Sequence, residues 1–373
     1  MNTRMRCAAW AGAASVMVVS LTACGGLLPG GDSDSSAPVR KGNDVKIGLL
    51  LPEKETARYE KFDYPIIKRQ VEKLTSGQGQ VVYANAGEDA DLQNRQVAEM
   101  IAKKVDTLIV DAVDAKVIAS SVQKAKDAGI HVIAYDRLAQ GPVDAYVGFD
   151  NGLVGQTQGK ELVQALGDKA TKSSKIVMIN GSPTDPNAAD FKESARAELT
   201  EAVTVAKSYD TVAWKPQNAE ANMARAIADI GAANIAGVYS ANDGMAGGVV
   251  EALKKAGLTK MPPITGQDAE LAAVQRILTG EQYMSVYKPY PEEAATAAEM
   301  AVRVAQGRNI EFEALAMDTV DSPTNKQIRT ASISVVALKR DNIKQTVLKD
   351  KIFKLSQICT PKYEAACADA GLK

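Results

Sequence analysis

The residues in this sequence that are best suited to recognition chemistry are polar and aromatic side chains that come after successive short β-forming runs. They are Arg58, Tyr59, Asp136, Arg137, Asp150, Asn151, Asn187, Trp214, Asn218, Asp243, Asp268 and Lys288. Carboxylates, amides and guanidinium groups form bidentate hydrogen bonds with neighbouring hydroxyls, and aromatic rings stack on apolar C–H faces. This mixture predicts a pocket for a small polyhydroxylated ligand such as a sugar, whereas a phosphorylated ligand would favour Arg and Lys with fewer carboxylates.

Each of these residues also has a purely structural explanation. Asp150, Asn187, Asp243 and Asp268 stand between a strand and a helix, where Asp and Asn are common helix N-caps. Trp214 fits a packed core ring equally well, and Arg58, Arg137 and Lys288 fit solvated surface charges. Recurrence favours the ligand site, because polar groups follow the strands in both halves of the chain and the ends of parallel strands converge.

Several kinds of chemistry are excluded by what the sequence lacks. The single histidine, His131, rules out sites that need two histidines, including HExxH zinc sites. No glycine lies between Pro52 and Phe62, where a dinucleotide fold needs a glycine-rich turn, and GxxxxGK[ST] is absent. We therefore expect no metal and no cofactor. With 44 Lys and Arg against 45 Asp and Glu, we also expect no nucleic-acid partner.

The elements that must position these residues alternate between strands and helices. Strands are predicted at 45–51, 80–83, 107–110, 131–135 and 146–148, and again at 175–179, 203–206, 237–239, 263–265 and 284–287. Helical patterns lie between them, at intervals of about 25–30 residues that are typical of βαβ units around a parallel sheet. Because 373 residues exceed what one core usually holds, the two series predict an α/β protein with two doubly wound lobes.

Residues 1–23 are predicted to be a secretory signal peptide. Arg4 and Arg6 form a charged head, and the uncharged stretch from Ala8 to Ala23 is shorter than the roughly 20 apolar residues of a transmembrane helix. The ending LTAC resembles the bacterial lipobox, which implies lipidation of Cys24, and an ordinary signal-peptidase site is the alternative. Residues 24–44 are rich in Gly, Ser, Pro and Asp and are expected to form a flexible tether.

Export would place the remaining cysteines in an oxidising compartment. We therefore expect Cys359 and Cys367 to form a disulfide that closes a short C-terminal loop. Two free thiols or a metal pair are the alternatives, and titration of the unfolded, unreduced protein for free thiols would separate the thiol form from the disulfide.

Seven segments resemble the monosaccharide-binding group of type I periplasmic binding proteins, and most closely its D-xylose-binding branch. They are VKIGLLL, IAYDRL, YVGFDNGLVG, GSPTDPNAADF, SANDGMAGG, ITGQDAELAAVQRI and MSVYKP, in this order between about residues 45 and 350. The resemblance implies two doubly wound lobes that are joined by a three-segment hinge and enclose the sugar between them. It places the hinge crossings near Phe149, near Gln267 and within 323–329.

The same resemblance implies lobe boundaries and sugar contacts. The N-terminal lobe would comprise 45–148 plus 269–322, and the C-terminal lobe 149–268 plus 323–373. A sugar contact is implied for each of the twelve residues in the opening list, with Tyr59 and Trp214 as stacking rings.

The resemblance implies a role in import and no enzymatic activity. The expected protein is a monomeric lipoprotein, exported and anchored on the outer face of the cytoplasmic membrane, that captures D-xylose or a related aldose. It would deliver the sugar to the permease of an ABC importer and, through the permease, to an ATPase. The alternatives are a sugar receptor for a signalling partner, a glycoside hydrolase with two carboxylates in its cleft, and an amino-acid-binding protein of the same fold.

Overall fold

The computed structural model describes residues 42–372. The predicted signal peptide, the lipidation site at Cys24 and nearly all of the predicted tether lie outside the described residues. The strands are β1 (Lys46–Leu51), β2 (Gln80–Asn85), β3 (Thr107–Val110), β4 (His131–Tyr135), β5 (Ala145–Phe149), β6 (Lys175–Asn180), β7 (Thr204–Asp210), β8 (Ile235–Ser240), β9 (Ser285–Tyr287), β10 (Asp318–Val320), β11 (Ile328–Ile333) and β12 (Val336–Leu338).

The helices lie between these strands and after the last of them. They are α1 (Tyr64–Leu74), α2 (Ala90–Ala102), α3 (Ala119–Asp127), α4 (Asn151–Leu166), α5 (Pro186–Ala202), α6 (Pro216–Ile230), α7 (Asp243–Lys255), α8 (Leu271–Thr279), α9 (Tyr290–Ala305), α10 (Asn309–Ala314), α11 (Leu355–Ile358) and α12 (Glu364–Asp369). A π-helical turn, Tyr59–Asp63, directly precedes α1. Within residues 42–372, no helix is both long enough and apolar enough to cross a membrane.

The first lobe is built on a seven-stranded sheet in the order β10-β11-β5-β4-β3-β1-β2. All neighbours are parallel except β10, which runs antiparallel to β11 at the edge. Strands β3 and β5 are buried along their whole length, as expected for parallel strands with helices on both faces. One core joins α1 and α9 to the sheet, and a second core joins α2 and α3 to it.

The second lobe contains the parallel strands β7-β6-β8, with α4, α5, α6 and α7 packed around them in one hydrophobic core. Isolated parallel bridges, Val238 to Ile264 and Gln267 to Val286, continue this arrangement towards the antiparallel pair β9 and β12. Both lobes therefore have the predicted α/β architecture, and the carboxyl ends of their strands carry the polar segments.

The chain passes between the lobes three times, and two crossings differ from the predicted positions. The first crossing follows β5: Phe149 is the last residue of this strand in the first lobe, and α4 begins in the second lobe. The second lies at 288–289, between β9 and α9, because β9 pairs with β12 while α9 packs on the first sheet. The third lies at 334–335, because β11 pairs along its length with β5.

The lobe boundaries predicted from the sequence are corrected accordingly. Sheet and core membership assign 45–149 and 290–333 to the first lobe, and 150–287 and 336–372 to the second. Helix α8 was predicted in the first lobe, but its Val274 and Ile277 pack against the C-terminal segment of the second. The Sγ atoms of Cys359 and Cys367 are joined within that segment, with Cα atoms 5.9 Å apart.

Candidate ligand-binding site

A small polar cleft lies between the two lobes, at the ends of strands from both sheets. Its walls are formed by Thr56, Tyr59, Asp136, Arg137, Asp185, Asn187, Phe191, Trp214, Asn242, Gln267, Asp268 and Lys288. The cavity between them measures about 20 Å³, which is room for about one water molecule. A larger ligand would therefore need these walls to move apart.

Three of the wall residues have left-handed backbone conformations that residues other than glycine rarely adopt. Asp136 has φ 54°, Trp214 has φ 56° and Asp268 has φ 89°. Asp136 directly follows β4, Trp214 lies four residues after β7, and Asp268 follows the bridge residue Gln267. Such conformations cost about 1–3 kcal/mol each and cluster at ligand sites, where they aim a side chain that a relaxed backbone would turn elsewhere.

The carboxylate of Asp136 lies at the centre of the cleft. The Tyr59 hydroxyl donates to its Oδ2 atom at 2.8 Å, and Nη1 of Arg58 lies 3.6 Å from the same atom. Oδ1 is buried and accepts no hydrogen bond from the protein, although Nζ of Lys288 lies 3.9 Å away. Burial alone would raise the pKa of Asp136, but Lys288, Arg58 and Arg137 lower it to about 2. The site therefore presents an ionised acceptor with an unused oxygen.

Lys288 occupies the second crossing between the lobes and is almost fully buried. Its Nζ atom lies 3.0 Å from Oδ1 of Asp268, and 5.1 and 6.0 Å from the ring centroids of Phe149 and Phe191. Burial would lower the pKa of Lys288, but Asp268 and Asp136 raise it, so the ammonium stays charged. A charged donor is thus held at the hinge between an aromatic wall and two carboxylates.

Two polar contacts join the lobes across the cleft. Nε of Arg137 lies 3.0 Å from Oδ2 of Asp185, which also accepts from the indole nitrogen of Trp214 at 3.2 Å. The amide nitrogen of Asn187 donates to the backbone oxygen of Asp136 at 2.9 Å. The cleft thus brings together side chains from elements that are far apart in the sequence.

The Trp214 ring is fitted closely into the cleft wall. It stands over Gly181, where a Cβ atom would lie only 2.1 Å from the ring, so a side chain at that position would displace it. Phe191 meets the indole edge to face, with ring centroids 6.5 Å apart. Together the two rings give the cleft an apolar surface beside its charged groups.

The structure brings together eight of the twelve residues that the sequence predicted. Seven of them line the cleft: Tyr59, Asp136, Arg137, Asn187, Trp214, Asp268 and Lys288. Arg58 lies directly behind Tyr59 and Asp136, and its Nη1 atom is buried without a hydrogen-bond partner.

The other four predicted contacts lie outside the cleft. Asp150 is exposed and caps α4 by accepting from the Leu153 amide at 2.8 Å, and Asn151 is the first residue of that helix. Asn218 is exposed and donates to the Val212 carbonyl.

Asp243 is fully buried within the second lobe. Its carboxylate accepts from the side chains of Gln282 and Ser285, both at 2.7 Å, and from the Glu270 amide at 3.0 Å. For Asp243, as for Asp150, the residue at the start of the helix makes hydrogen bonds that stabilise the fold.

The prediction missed five cleft residues, and four of them had a detectable signal. Asp185 and Asn242 stand in the same strand-end segments as the predicted contacts, and each also accepts a capping bond from a backbone amide. Phe191 lies four residues after Asn187 on α5 and therefore shares its helix face. Gln267 directly precedes the predicted contact Asp268 and was assigned to a hinge crossing and not to the ligand. Thr56 carries no comparable signal, because it lies in an irregular segment. Within residues 42–372, no group of three potential metal ligands occurs.

The fold and the cleft define a two-lobed ligand-binding protein, and comparison with known proteins identifies the family. Residues 47–309 match the family model described as "Periplasmic binding protein domain", and the chain belongs to this family. It is 33% identical to the D-xylose-binding periplasmic protein of Escherichia coli, over 84% of this chain and 93% of that protein. It is 30% identical to a multiple sugar-binding periplasmic receptor of Rhizobium radiobacter, over 91% of this chain and 99% of that protein.

A solved structure agrees with these relatives. The ABC transporter solute-binding protein of Clostridium phytofermentans, with bound β-D-glucose, superposes with a TM-score of 0.76 at 25% identity, covering 84% of this chain and 99% of that one. Within its family, this chain is an extracytoplasmic sugar-binding component of ABC transport. It is a binding protein and not an enzyme, which removes the glycoside hydrolase and amino-acid-binding alternatives.

Proposed function

We propose that this protein is a lipid-anchored receptor that captures one aldose, D-xylose or a close relative, and delivers it to the permease of an ABC importer. The observation that carries the proposal is a pair of unused polar atoms, one in the cleft wall and one directly behind it. Oδ1 of Asp136 and Nη1 of Arg58 are both buried without a hydrogen-bond partner. Because buried polar groups are nearly always satisfied, a ligand hydroxyl at this position would accept from one and donate to the other.

The remaining walls suit the rest of an aldose. The carboxylate of Asp268 and the ammonium of Lys288 offer an acceptor and a donor for further hydroxyls. Trp214 and Phe191 present rings on which the C–H face of a sugar would pack.

Capture follows from the division of the contacts between the lobes. Tyr59, Asp136 and Arg137 belong to the first lobe, whereas Trp214 and Asp268 belong to the second. A sugar is therefore fully hydrogen-bonded only when the lobes meet, and this difference in affinity favours the closed state. The closed form would then be the form that the permease recognises.

Selectivity would arise from the cost of unsatisfied groups. An epimer with one hydroxyl misplaced would leave a buried donor or acceptor of the cleft without a partner, at a cost of about 1–3 kcal/mol and more for a charged group. The relatives that bind D-xylose support this sugar as the first candidate, and the neighbour with bound glucose supports a related hexose as the second.

Isothermal titration with xylose, glucose, galactose, arabinose and ribose tests the proposed ligand. We expect one aldose to bind clearly more tightly than its epimers, and a protein that binds none of the five would refute the proposal. A thermal-shift screen offers a parallel measurement, because a ligand at 100 times its dissociation constant stabilises the folded state by about 2.7 kcal/mol.

The anchor and the transport role need separate experiments. Cys24→Ser should move the full-length protein from the membrane fraction to the soluble fraction, and an unchanged distribution would argue against lipidation. Cells that lack the protein should lose uptake of the labelled sugar. Normal uptake together with a lost transcriptional response to the sugar would favour the alternative of a receptor for a signalling partner.

A further inference from the structure

We propose that Asp63 and Glu293 are positioning residues that hold the Arg58 guanidinium so that its Nη1 group faces the bound sugar. The inference deepens the proposed function and rests on it. Neither acid lines the cleft. Arg58 lies directly behind the wall residues Tyr59 and Asp136, so each acid would act on the ligand only through Arg58.

Two of the three guanidinium nitrogens of Arg58 are held by hydrogen bonds within the protein. Nε of Arg58 donates to Oδ2 of Asp63 at 2.8 Å, and Nη2 donates to Oε2 of Glu293 and to the Tyr135 hydroxyl, the latter at 3.1 Å. Two anchored nitrogens fix the plane of a rigid guanidinium and therefore the direction of the third. That third nitrogen, Nη1, lies 3.6 Å from Oδ2 of Asp136 and has no hydrogen-bond partner.

The three groups are held in a setting that strengthens their interaction. The side chains of Arg58, Asp63 and Glu293 are at most 2% exposed. The rings of Tyr59, Tyr135, Phe149 and Tyr290 surround the guanidinium, with centroids 5.2–6.0 Å from its central carbon. In so apolar a setting charge attraction is little screened, and the orientation of the guanidinium is strongly determined.

Different elements bring the two acids to one arginine. Asp63 ends the π-helical turn that begins at Tyr59, and its neighbour Phe62 packs on Tyr290 and Phe353 at centroid distances of 5.0 and 6.0 Å. Glu293 lies in the first turn of α9, directly after the second crossing between the lobes. The two carboxylates that hold Arg58 therefore lie at the hinge, next to the contact of Phe62 with Phe353 of the C-terminal segment.

A role in binding explains an arrangement that stability alone does not require. One arginine needs one carboxylate for neutrality, and each additional buried ion carries a desolvation cost. Burial raises the pKa of Asp63 and of Glu293, and Arg58 offsets part of this effect. The second carboxylate therefore adds a desolvation cost in the sugar-free protein. The orientation of the Arg58 Nη1 donor towards the ligand would offset this cost when the sugar binds.

The test compares two substitutions of Glu293 in two backgrounds. Glu293→Leu removes the acceptor, whereas Glu293→Gln keeps a side-chain oxygen for Nη2. We expect Glu293→Leu to weaken the affinity for the best monosaccharide about 10- to 100-fold, and Glu293→Gln to weaken it by less than about 5-fold. In an Arg58→Lys background, which lacks the fork of the guanidinium, we expect Glu293→Leu to change affinity by less than about 3-fold.

A control on the same helix is available. Glu299 lies on α9 and pairs with Arg303 at 2.9 Å near the surface, so Glu299→Gln should leave affinity unchanged. If Arg58→Lys does not fold, the comparison of Glu293→Leu with Glu293→Gln tests the inference alone. A positioning role requires the side-chain oxygen at residue 293, whereas a role in folding alone does not.

Three outcomes would count against the inference. Wild-type affinity in Glu293→Leu with a lowered melting temperature would make the acid purely structural, and equal losses in both backgrounds would show action independent of Arg58. Equal losses of sugar affinity in Glu293→Leu and Glu293→Gln would exclude a positioning role for the side-chain oxygen. A wild-type protein that binds none of the five sugars would instead refute the proposed function, so the two failures are distinguishable.

Discussion

Asp136 illustrates how one side chain acquires its properties from several distant elements. It follows β4, takes a left-handed conformation, and receives a hydrogen bond from Tyr59. Its pKa is lowered to about 2, because two arginines and Lys288 outweigh the effect of burial. None of these partners lies within seventy residues of it except Arg137, so the character of Asp136 is a property of the folded cleft.

Asp136→Ala should weaken binding of the best monosaccharide by about 2–4 kcal/mol, because a buried, charged acceptor with one unused oxygen is lost. Isothermal titration measures the change directly. Asp150→Ala is the matched control: Asp150 caps α4 and is exposed, so we expect lower thermal stability with unchanged affinity. A loss of affinity in the Asp150 variant equal to that of the Asp136 variant would contradict the placement of the site.

Glu270 provides a test of the electrostatics behind the cleft. Burial, followed by the charges of Asp243 and Asp268, raises the pKa of Glu270 to about 8, and Arg276 offsets part of the shift. Because the folded pKa exceeds the unfolded one, the contribution of Glu270 to stability is present at low pH and is lost as pH rises through about 8.

Glu270→Gln should therefore stabilise the protein at pH 8.5 relative to wild type by on the order of 1 kcal/mol, with a smaller difference at pH 5. Thermal unfolding at the two pH values measures the effect. Glu281→Gln, which alters a surface pair with Lys254, serves as the control. Parallel pH profiles for wild type and Glu270→Gln would show that Glu270 is not the responsible group.

At the scale of elements, the C-terminal segment is the part of the fold that sequence patterns described least. Residues after β12 pack over α8 in a separate hydrophobic cluster that includes Leu338, Ile343, Val347 and Cys367. Gln275 of α8 donates to the backbone oxygen of Gln357, which ties the segment to the helix. The segment therefore packs on the second lobe next to the second crossing, where Tyr287 and Tyr290 belong to the same cluster.

Removal of the disulfide by the paired change Cys359→Ser and Cys367→Ser should lower the free energy of unfolding by about 2–3 kcal/mol, because the bond closes a loop with a sequence separation of 8. Neither cysteine lines the cleft, so sugar affinity should stay the same. Denaturant unfolding and titration of the same preparation separate the two effects, and a variant with wild-type stability would indicate that the segment is anchored by packing alone.

At the scale of the whole molecule, the two lobes meet through few polar contacts beside the three crossings. Arg137 to Asp185 and Asn187 to Asp136 bridge the cleft directly. Interfaces of this kind permit relative motion of domains, and ligand contacts from both sides would shift the population towards closure.

Solution X-ray scattering should therefore show a smaller radius of gyration when the preferred sugar is added, since the closed lobes are more compact. Asp185→Ala removes the partner of Arg137 and Trp214 and should leave more of the sugar-free protein open. Identical scattering with and without saturating sugar would mean that closure does not accompany binding.

The sequence by itself determined the α/β class, the two lobes and most of the cleft, because strand and helix periodicity are local and the ends of parallel strands must converge. It did not separate Asp136 and Asp268 from Asp150 and Asp243, since all four follow strands and only tertiary packing decides which carboxylates face the cleft. The sequence also did not predict the crossings at 288–289 and 334–335, because these depend on the pairing of the three-residue strands β9 and β12, which lie about fifty residues apart.

The pairing of Arg58 with Asp63 and Glu293 was likewise not predictable from the sequence. These acids are 230 residues apart in the sequence and sit in a turn and a helix that carry no ligand motif. Which carboxylate meets which guanidinium is fixed by the approach of α9 to the turn after β1, which burial of apolar side chains drives and charge patterns do not encode. The sequence supplied the chemical groups, and the packing of the two lobes decided their partners.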